Sequence, residues 1–598
     1  MSRTVDVIVI GGGHAGVEAA WAASSVLPDS TIAFVTMDTK KIGVMSCNPA
    51  IGGLGKGQIV REIDALGGLM GLAIDATGIM FKMLNTSKGP AVWGPRAQAD
   101  KDAYRDEIQR LIATRSNIEV IEATVDDLLV EDGVIKGVLL EEPLLASSVV
   151  LTTGTFMRGL MHTGEDQEKG GRVGEGTAEG ISGTLKRLGF ELGRLKTGTP
   201  PRLSKKTIDW DSLPKQLGDE TPTPFSDCTD VTTFPPMRQV ECRITNTTSE
   251  IHQLIKDNLD RAPMYSGAID AESGPRYCPS IEDKVVRFAD RTEHHVFLEP
   301  ETLEGDSIYC NGISTSLPRD IQELIIPMMP GCANAEILQM GYAVEYDIVR
   351  PHQIEATCMT KSIRGLFLAG QINGTSGYEE AGGQGLVAGL NAARLVQGEE
   401  PIVFGRDQAY IGVMMDDLVT TMPLEPYRMF TSRAEHRLLL RADNSDERLT
   451  RFGHDLGLVC DQRWDAWVVR ANQLQEIRDQ IKELDLGKLI KKSDTPIVEI
   501  VSKLPKIFDP RLIRRIISDV RYEGYIVRQQ AEIKRQAKTE GRKIPSELEP
   551  TSISGLRNEA VDVLTQFKPA TLGQASRLAG ITPADITLIS IAITRYSK

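Results

Sequence analysis

Residues 5–16 read VDVIVIGGGHAG. Five of the first six are apolar and β-branched, with Asp6 as the exception, as in a buried strand, and the good helix formers VEAAWAA follow at 17–23. In the GxGxxG spacing between them, Gly11 permits a tight turn, Gly13 lets the backbone approach a pyrophosphate, and Gly16 lets the helix pack closely on the strand. The helix N-terminus offers free N–H groups and a positive dipole end. We therefore predict a Rossmann-like α/β domain with a dinucleotide held by Gly11, Gly12, Gly13, His14, Ala15 and Gly16.

Two later segments favour FAD over NAD in this domain. Residues 149–155 (VVLTTGT) and 365–371 (GLFLAGQ) read as apolar strands, and the second is followed by the glycine-rich 382–385 and an Ala/Leu helix. In flavoproteins a late strand of this kind brings a helix N-terminus to the flavin ring, which a plain NAD domain does not need. One expected part is missing, because the second strand, residues 31–36, ends in threonine rather than a ribose-binding acid. Asp38 is the nearest acidic residue.

Length and composition predict a multidomain globular protein. At 598 residues, with 41% hydrophobic and 25% charged residues, two to four domains are expected. The N-terminus passes straight into a strand and no apolar run is long enough to cross a bilayer, so we expect neither a signal peptide nor a membrane span. The net charge of −14 argues against indiscriminate polyanion binding. Eight cysteines without a CxxC pair indicate no disulfide framework, no metal site and a cytoplasmic location.

A first chemistry-bearing loop covers residues 45–57, MSCNPAIGGLGKG. It is not a Walker A loop, which would need glycine at Ala50 and Ser or Thr at Gly57. What remains is a flexible glycine-rich loop near the flavin face that carries a thiol, Cys47, and a lysine, Lys56. Backbone N–H groups and Lys56 could favour the thiolate form of Cys47. The alternative is that Cys47 only fills space beneath the loop.

A second loop covers residues 274–284, GPRYCPSIEDK. Two prolines stiffen it and hold Cys278 in an extended conformation, and Arg276 and Lys284 make its surroundings cationic. A solvated structural loop is the alternative. Two thiols on a flavoprotein suggest covalent catalysis, in which a thiolate adds to C6 of a pyrimidine or carries an electrophilic carbon. A redox pair is weakened, though not excluded, by the 231 positions between them.

The chain from about residue 405 onward reads as mostly helical and locally basic. Arg433, Arg437 and Arg441 recur every four residues, so a helix would align them for a phosphate backbone, unless salt bridges use them. Residues 505–545 hold eleven Lys/Arg against five Asp/Glu, with two tyrosines among them. This favours polyanion binding over a merely solvated face. Residues 551–598 read as a small helical module that docks a partner or packs on the rest.

Taken together, these segments resemble the MnmG (GidA) family of FAD-dependent tRNA-modifying enzymes over essentially the whole chain. The matching blocks are GGGHAGVEAA (11–20), MSCNPAIGGLGKG (45–57), RLKTGTPPR (194–202), GPRYCPSIEDKVVRFADR (274–291), NGISTSLP (311–318), AGQINGTSGYEEA (369–381) and EPYRMFTSRAEHRLLLR (425–441).

The resemblance implies an activity. Family members add a carboxymethylaminomethyl or aminomethyl group to C5 of the wobble uridine, position 34, of certain tRNAs. They act with the GTPase MnmE in a heterotetramer built on a homodimer. FAD and NADH supply the redox chemistry, 5,10-methylenetetrahydrofolate the carbon unit, and glycine or ammonium the amine.

The resemblance also implies site residues. Cys47 and Cys278 match the family's two functional cysteines, and Val125 and Gln371 would lie at the flavin. A further family contact is a serine, but Ala178 stands here, so only its backbone could bind. Apart from the resemblance, the arginine-rich pattern itself predicts Arg428, Arg433, Arg437 and Arg441 as tRNA-binding residues. The nicotinamide site would comprise Gly274, Pro275, Arg276, Tyr277, Pro279, Ser280, Ile281, Glu282, Asp283, Lys284, Val285, Val286, Arg287 and Phe288.

The architecture expected from the resemblance is a glutathione-reductase-type FAD domain with an insertion and a helical C-terminal region. The FAD domain would span 1–205 plus 346–405, an NAD-binding insertion 206–345, a tRNA-binding helical region 406–550, and a GTPase-docking module 551–598. Two alternatives remain. One is a folate- and FAD-dependent methyltransferase of tRNA uridine 54, although such enzymes are shorter and lack the helical half. The other is a non-catalytic flavin-bearing scaffold for tRNA or a GTPase.

Overall fold

A five-stranded parallel sheet forms the centre of the molecule, so the predicted Rossmann-like fold is confirmed. The computed structural model describes residues 3–172, 179–267, 269, 280–422, 425–492 and 496–596. In spatial order the strands are Leu366–Leu368, Ser148–Leu151, Val7–Ile10, Ile32–Thr36 and Ile118–Glu122. The predicted late strand therefore pairs in parallel with Ser148–Leu151. The helices of this body are His14–Val26, Lys56–Ala65, Met70–Thr77, Lys101–Ala113 and Tyr378–Gln397.

The first and last of these helices lie in direct contact. Gly385 and Gly389 of Tyr378–Gln397 face Ala15 and Ala19 of His14–Val26. A Cβ added at either glycine would lie 2.1 or 2.2 Å from the facing carbonyl oxygen, which only glycine avoids. The two helices can therefore approach closely enough to begin side by side at the carboxyl edge of the sheet.

Three further sheets extend this body. The first is mixed, because Arg3–Thr4 pairs in parallel with Pro143–Leu145, and the other two are antiparallel. The first pairs Arg3–Thr4, Pro143–Leu145, Val134–Leu139 and Asp127–Glu131, and the second pairs Ala50–Gly52, Gly94–Ala99 and Gly78–Leu84. The third comprises Asp166–Lys169, Leu160–Thr163, Tyr342–Val349 and Leu192–Thr199, and the helix Glu179–Arg187 follows its first two strands in the chain.

A second body, the inserted body, is built on a six-stranded sheet with its own apolar core. Its strands in spatial order are Lys215–Gln216, Cys242–Asn246, His295–Pro300, Ser307–Asn311, Arg202–Ser204 and Ile337–Gln339. Its helices are Ser249–Lys256, Pro263–Ser266, Ile281–Arg287 and Arg319–Ile325. The sheet takes a strand from before residue 206. Part of the insertion returns to the first body, because Phe225 packs in that body's core.

The helices after residue 405 do not form a separate unit at once. Tyr410–Thr420 and Ser445–Asp455 contribute Ile411, Met414 and Leu449 to the core of the first body. A second helical core then forms among Asp461–Glu483, Gly487–Lys491, Ile497–Val501 and the first half of Pro510–Glu540. A third holds Asn558–Phe567, Leu572–Arg577 and Pro583–Tyr596. Within the described ranges, none of these helices is both long and apolar enough to span a bilayer.

The long helix Pro510–Glu540 changes character along its length. Leu512, Ile513 and Ile516 are buried, whereas most residues from Glu523 to Thr539 are exposed. At its far end Glu540 binds Arg577 of the last helical module at 2.8 Å, and Arg577 also binds Asp416 of the first body at 2.7 Å. One arginine thus joins three parts of the fold.

Candidate active site

The glycine turn has the geometry that its spacing predicts. Gly11 has a φ of +109° and donates its N–H to Val35 at 2.8 Å, and a Cβ on Gly16 would lie 1.8 Å from the Gly11 oxygen. A Cβ on Gly13, by contrast, would meet nothing within 4 Å. No side chain caps the helix that starts after Gly13. The turn therefore presents uncovered backbone N–H groups at a helix N-terminus, as a phosphate group requires.

A second helix N-terminus lies beside the first. The ring of His14 stacks on Tyr378, the first residue of Tyr378–Gln397, with centroids 4.4 Å apart, and no side chain caps that helix either. Burial lowers the pKa of His14 to about 4, so the imidazole is neutral at pH 7. The buried His14 Nε2 and Thr153 Oγ1 have no hydrogen-bond partner in the described structure. Two uncovered helix ends with buried polar atoms between them fit a dinucleotide such as FAD.

Two acids, Asp38 and Glu122, lie near the end of the second strand at the carboxyl edge of the sheet. Asp38 caps the turn Thr39–Lys41 by accepting the Lys40 N–H at 2.9 Å. Glu122, the last residue of the neighbouring strand, accepts the Thr39 N–H at 3.0 Å and the Thr39 hydroxyl at 2.7 Å. These bonds hold the pKa of Glu122 below its usual range, so it is ionised. An acid in sequence after the second strand was expected, whereas this one comes from the next strand along the sheet edge.

Val125 and Gln371 both follow strands at the same carboxyl edge. Val125 is buried shortly after Ile118–Glu122. Gln371 lies in the turn Gly370–Asn373 after the late strand, with its side-chain oxygen over Gly154. The topology therefore brings these two predicted contacts to the edge where the glycine turn lies.

The loop around Cys47 is more ordered than expected, and Lys56 at its end pairs with two glutamates. Ala50–Gly52 is a strand, and the helix Lys56–Ala65 starts at the lysine. Lys56 Nζ lies 2.9 Å from Glu379 and 3.0 Å from Glu380, and all three side chains are buried. Burial alone would lower the pKa of Lys56, but the two glutamates raise it. These two carboxylates balance the charge of Lys56, and its action on the thiol stays a prediction.

Two tyrosines hold Cys47 instead. Its N–H donates to the Tyr378 hydroxyl at 2.7 Å, and its Sγ lies 3.1 Å from the hydroxyl of Tyr309 in the inserted body. The guanidinium of Arg202 lies 4.8 Å from the centre of the Tyr309 ring. Cys47 is half-buried beside a cavity of about 160 Å³ between the two bodies. The cavity is lined by Val44, Met45, Ser46, Lys101, Asp102, Arg172, Arg202, Glu301, Gln339 and Tyr342.

The second cysteine, Cys278, lies outside the described residues. So do Gly274, Pro275, Arg276, Tyr277 and Pro279 of its loop, and so does Ala178. The description resumes at Ser280, whose hydroxyl caps the helix Ile281–Arg287.

The helix after this loop has a buried and an exposed side. Ile281 and Val285 pack in the core of the inserted body, and Glu282 accepts hydrogen bonds from Thr315 and Ser316. Asp283 accepts one from Tyr265, and Lys284 donates to Gly312. The residues that face outward are Val286, Arg287 and Phe288. Of the predicted nicotinamide contacts described here, these three are available on the surface.

The predicted row of arginines is not on one helix. The short helical turn Thr431–Arg433 ends before Ala434, and the next regular turn is Ala442–Asn444, so the expected alignment is wrong. Arg441 is fully buried, with Asp443 at 2.8 Å and Asp519 also paired to it. We therefore remove Arg441 from the predicted tRNA contacts, because the two carboxylates occupy its guanidinium. This outcome corresponds to the salt-bridge alternative.

The other three arginines are more accessible. Arg433 is half-buried with its guanidinium 4.6 Å from the centre of the Tyr427 ring and 3.6 Å from Asp417. Arg428 is also half-buried, and Arg437 is exposed. Arg437 is thus the most accessible member of the predicted set.

Comparison with known proteins gives consistent matches over the whole chain. The family model of glucose inhibited division protein A matches residues 6–400, and the model of the tRNA modifying enzyme MnmG/GidA C-terminal helical bundle matches 532–598. The tRNA uridine 5-carboxymethylaminomethyl modification enzyme MnmG of Rhodopirellula baltica is 50% identical over 98% of this chain and 92% of its own length. The protein with the same name in Protochlamydia amoebophila is 48% identical over 99% and 96%. The structure of Aquifex aeolicus GidA in its form I crystal superposes with a TM-score of 0.90 at 43% identity, covering 98% of this chain and all of that one.

Proposed function

This chain belongs to the GidA (MnmG) family, and we propose that it is a flavoenzyme that modifies C5 of the wobble uridine 34 in tRNA, adding a carboxymethylaminomethyl or aminomethyl group. The observation that carries the proposal is the position of Cys47. Its backbone is bound by Tyr378, the residue that also stacks on His14 of the glycine turn. A nucleophile thus lies directly beside a dinucleotide cradle, as a flavin-dependent group transfer requires.

FAD fits the cradle through its pyrophosphate at Gly11 to Gly16 and its ring near Gln371. When bound, it supplies two-electron redox chemistry, with NADH as reductant. His14, which stacks on Tyr378, is neutral and so places no positive charge in the cradle. The Thr153 hydroxyl is available there to form a hydrogen bond. The nicotinamide would approach by the loop 274–280 and the outward side of Ile281–Arg287.

We assign Cys47 as the nucleophile that attacks the pyrimidine ring. Its thiolate adds to C6 of the uracil ring, which makes C5 nucleophilic. Glycine or ammonium displaces tetrahydrofolate from the methylene carbon of 5,10-methylenetetrahydrofolate to give an iminium, and C5 then bonds to that carbon. Loss of the C5 proton and cleavage of the S–C6 bond restore the aromatic ring and the thiolate. Cys278 is the second candidate for a covalent role.

The basic surface for tRNA is proposed on the helical C-terminal half. Arg437 is exposed, and the outer half of Pro510–Glu540 carries Arg528, Lys534, Arg535 and Lys538 on its solvent side. Cations on one exposed helix suit a phosphate backbone. We further propose that the module after residue 551 docks the GTPase MnmE and that the chain acts as a homodimer.

Of the two alternatives, the uridine-54 methyltransferase is disfavoured by the full-length identity to MnmG proteins, including the helical half. The non-catalytic scaffold differs from the catalytic proposal in the result that it predicts for a thiol substitution. It predicts that a thiol substitution leaves modification intact.

The decisive experiment is mass analysis of wobble-uridine nucleosides from cells that lack this chain. The C5 modification should disappear and return when the wild-type chain is expressed. Cys47→Ser should fail to restore it while still binding FAD and tRNA. Cys460→Ser, which changes an exposed cysteine elsewhere, is the matched control and should restore it fully. Unchanged nucleosides in the deletion strain would refute the proposal, and restoration by Cys47→Ser would favour the scaffold.

A further inference from the structure

The hydroxyl of Tyr309 contacts the sulfur of Cys47 across the boundary between the two bodies. The Oη–Sγ distance of 3.1 Å is within hydrogen-bonding range for sulfur, and Tyr309 is 3% exposed. The strand Ser307–Asn311 fixes the tyrosine on both sides, because Tyr309 pairs in register with Arg202 and with Glu299. The backbone that carries this hydroxyl is therefore held by the sheet of the inserted body.

Arg202 makes this tyrosine a good donor. Its guanidinium lies over the ring, and it is held there by hydrogen bonds to Thr199 and to the Pro200 oxygen and by Glu301 at 3.5 Å. A cation over the ring face draws electron density from the phenol, which strengthens its O–H as a donor. It also favours negative charge on the sulfur nearby.

We propose that Tyr309 is a positioning residue that donates its hydroxyl hydrogen bond to the Cys47 thiolate and so sets both the ionisation and the direction of the thiol. This inference rests on the proposed function for the identity of the nucleophile. It adds that the inserted body, through one tyrosine, controls whether the thiol of the first body is reactive.

Other groups near the thiol have different positions. Tyr378 binds the Cys47 N–H rather than the sulfur, and burial raises its pKa well above the ordinary value, so it stays protonated. Three further charged side chains, those of Lys101, Asp102 and Arg172, line the cavity beside the loop. Because the Tyr309→Phe substitution leaves all of these in place, it tests the hydroxyl alone.

The test is the pH profile of Cys47 alkylation by iodoacetamide, followed for the Cys47 peptide by mass spectrometry in the full-length, FAD-loaded protein. In Tyr309→Phe we expect the midpoint to rise by about one pH unit, which is about tenfold slower alkylation at any pH below both midpoints. The plateau at high pH should remain near that of the wild type. Tyr410→Phe removes a buried hydroxyl that has no partner in the described structure and is the matched control, with no expected shift.

An unchanged midpoint, a lower midpoint, or a change confined to the plateau would each overturn the proposal, because the tyrosine would then only fill space or accept a bond from the thiol. Nucleoside analysis with the same variant separates this result from the proposed function. A shifted midpoint with no effect of the chain on wobble uridine would keep the tyrosine assignment and reject the reaction.

Discussion

Lys56→Met should destabilise the first body strongly, because it removes the only cation shown within 4 Å of the buried Glu379 and Glu380 in the described structure. The Lys56 ammonium lies 2.9 and 3.0 Å from the two carboxylates, and the exposed fractions of the three side chains are 11%, 3% and 0%. Methionine keeps the length and apolar stem of lysine. The substitution therefore isolates the charge.

The expected loss follows from what stays behind. Glu379 still accepts the Gly52 N–H at 2.7 Å, and Glu380 still accepts the Met429 N–H at 3.0 Å, so neither carboxylate can turn to solvent without breaking a backbone contact. Removal of one partner from a buried ion pair costs about 3–5 kcal/mol in free energy of unfolding. With two carboxylates left side by side, we expect about 4–5 kcal/mol at pH 8.

The loss should depend on pH in a definite direction. In the wild type, burial alone would raise the pKa of Glu379, but Lys56 holds it below its usual range. This carboxylate therefore contributes stability above the unfolded pKa, and the contribution is lost as pH falls through the folded pKa. Without Lys56 the folded pKa of Glu379 rises above the unfolded value, because burial is then no longer offset by the ammonium, so the variant loses stability as pH rises. The deficit should be largest at pH 8 and shrink toward pH 5.

The assay is native-state hydrogen exchange of peptides from Lys56–Ala65 and Tyr378–Gln397, corrected for intrinsic rates, at two pH values. Peptide resolution is needed because a chain with several cores does not unfold in two states. Lys491→Met is the control, since Lys491 and Glu523 pair at 2.8 Å with both side chains more than half exposed, and it should cost about 0–1 kcal/mol. Equal losses in the two variants, or a loss for Lys56→Met that is the same at pH 8 and pH 5.5, would refute this reasoning.

Four further outcomes are expected. Gly16→Ala places a Cβ 1.8 Å from a backbone oxygen, so the affinity for FAD should fall at least about tenfold and the purified protein should lose its flavin absorbance. The control is Gly183→Ala, whose Cβ meets nothing within 4 Å and which should keep the flavin. Arg437→Met should weaken tRNA binding and lower the slope of log affinity against log salt by about 1. Arg441→Met should instead lower the free energy of unfolding by about 3–5 kcal/mol without changing that slope. A changed slope would show that Arg441 does contact tRNA. Arg577→Met should loosen the last helical module, seen as faster proteolysis between 541 and 557, and unchanged cleavage would show that apolar contacts alone hold it.

Features that depend on local backbone requirements were predictable from the sequence. The tight turn at Gly11 and the close approach at Gly16 need glycine whatever surrounds them, so GxGxxG gave the correct site geometry. The late strand was predictable for a similar reason, because its apolar run ends in a glycine turn with a φ of +88° at Gly370. Both signals lie within a few residues of the feature that they specify.

Features that depend on tertiary neighbours were not predictable. Spacing of four placed Arg441 on a helix face, but Asp519, 78 positions away, binds it in the interior. Lys56 was assigned to the nearest thiol in sequence, whereas Glu379 and Glu380 lie more than 300 positions away. Tyr309, 262 positions from Cys47, reads in sequence as an ordinary strand tyrosine. No local pattern distinguishes such a residue from core.

The contact between Gly385 and Ala15 also has a consequence for synthesis on the ribosome. The helix that completes the cradle is translated about 370 residues after the glycine turn. At about 5–20 residues per second, the nascent chain must wait roughly 20–70 s before it can hold the dinucleotide. During that interval the central sheet lacks the Leu366–Leu368 edge strand and the helix that covers it. Cofactor capture is therefore a late event, and a chain truncated before residue 397 should leave the ribosome without flavin and with apolar surface open to chaperones.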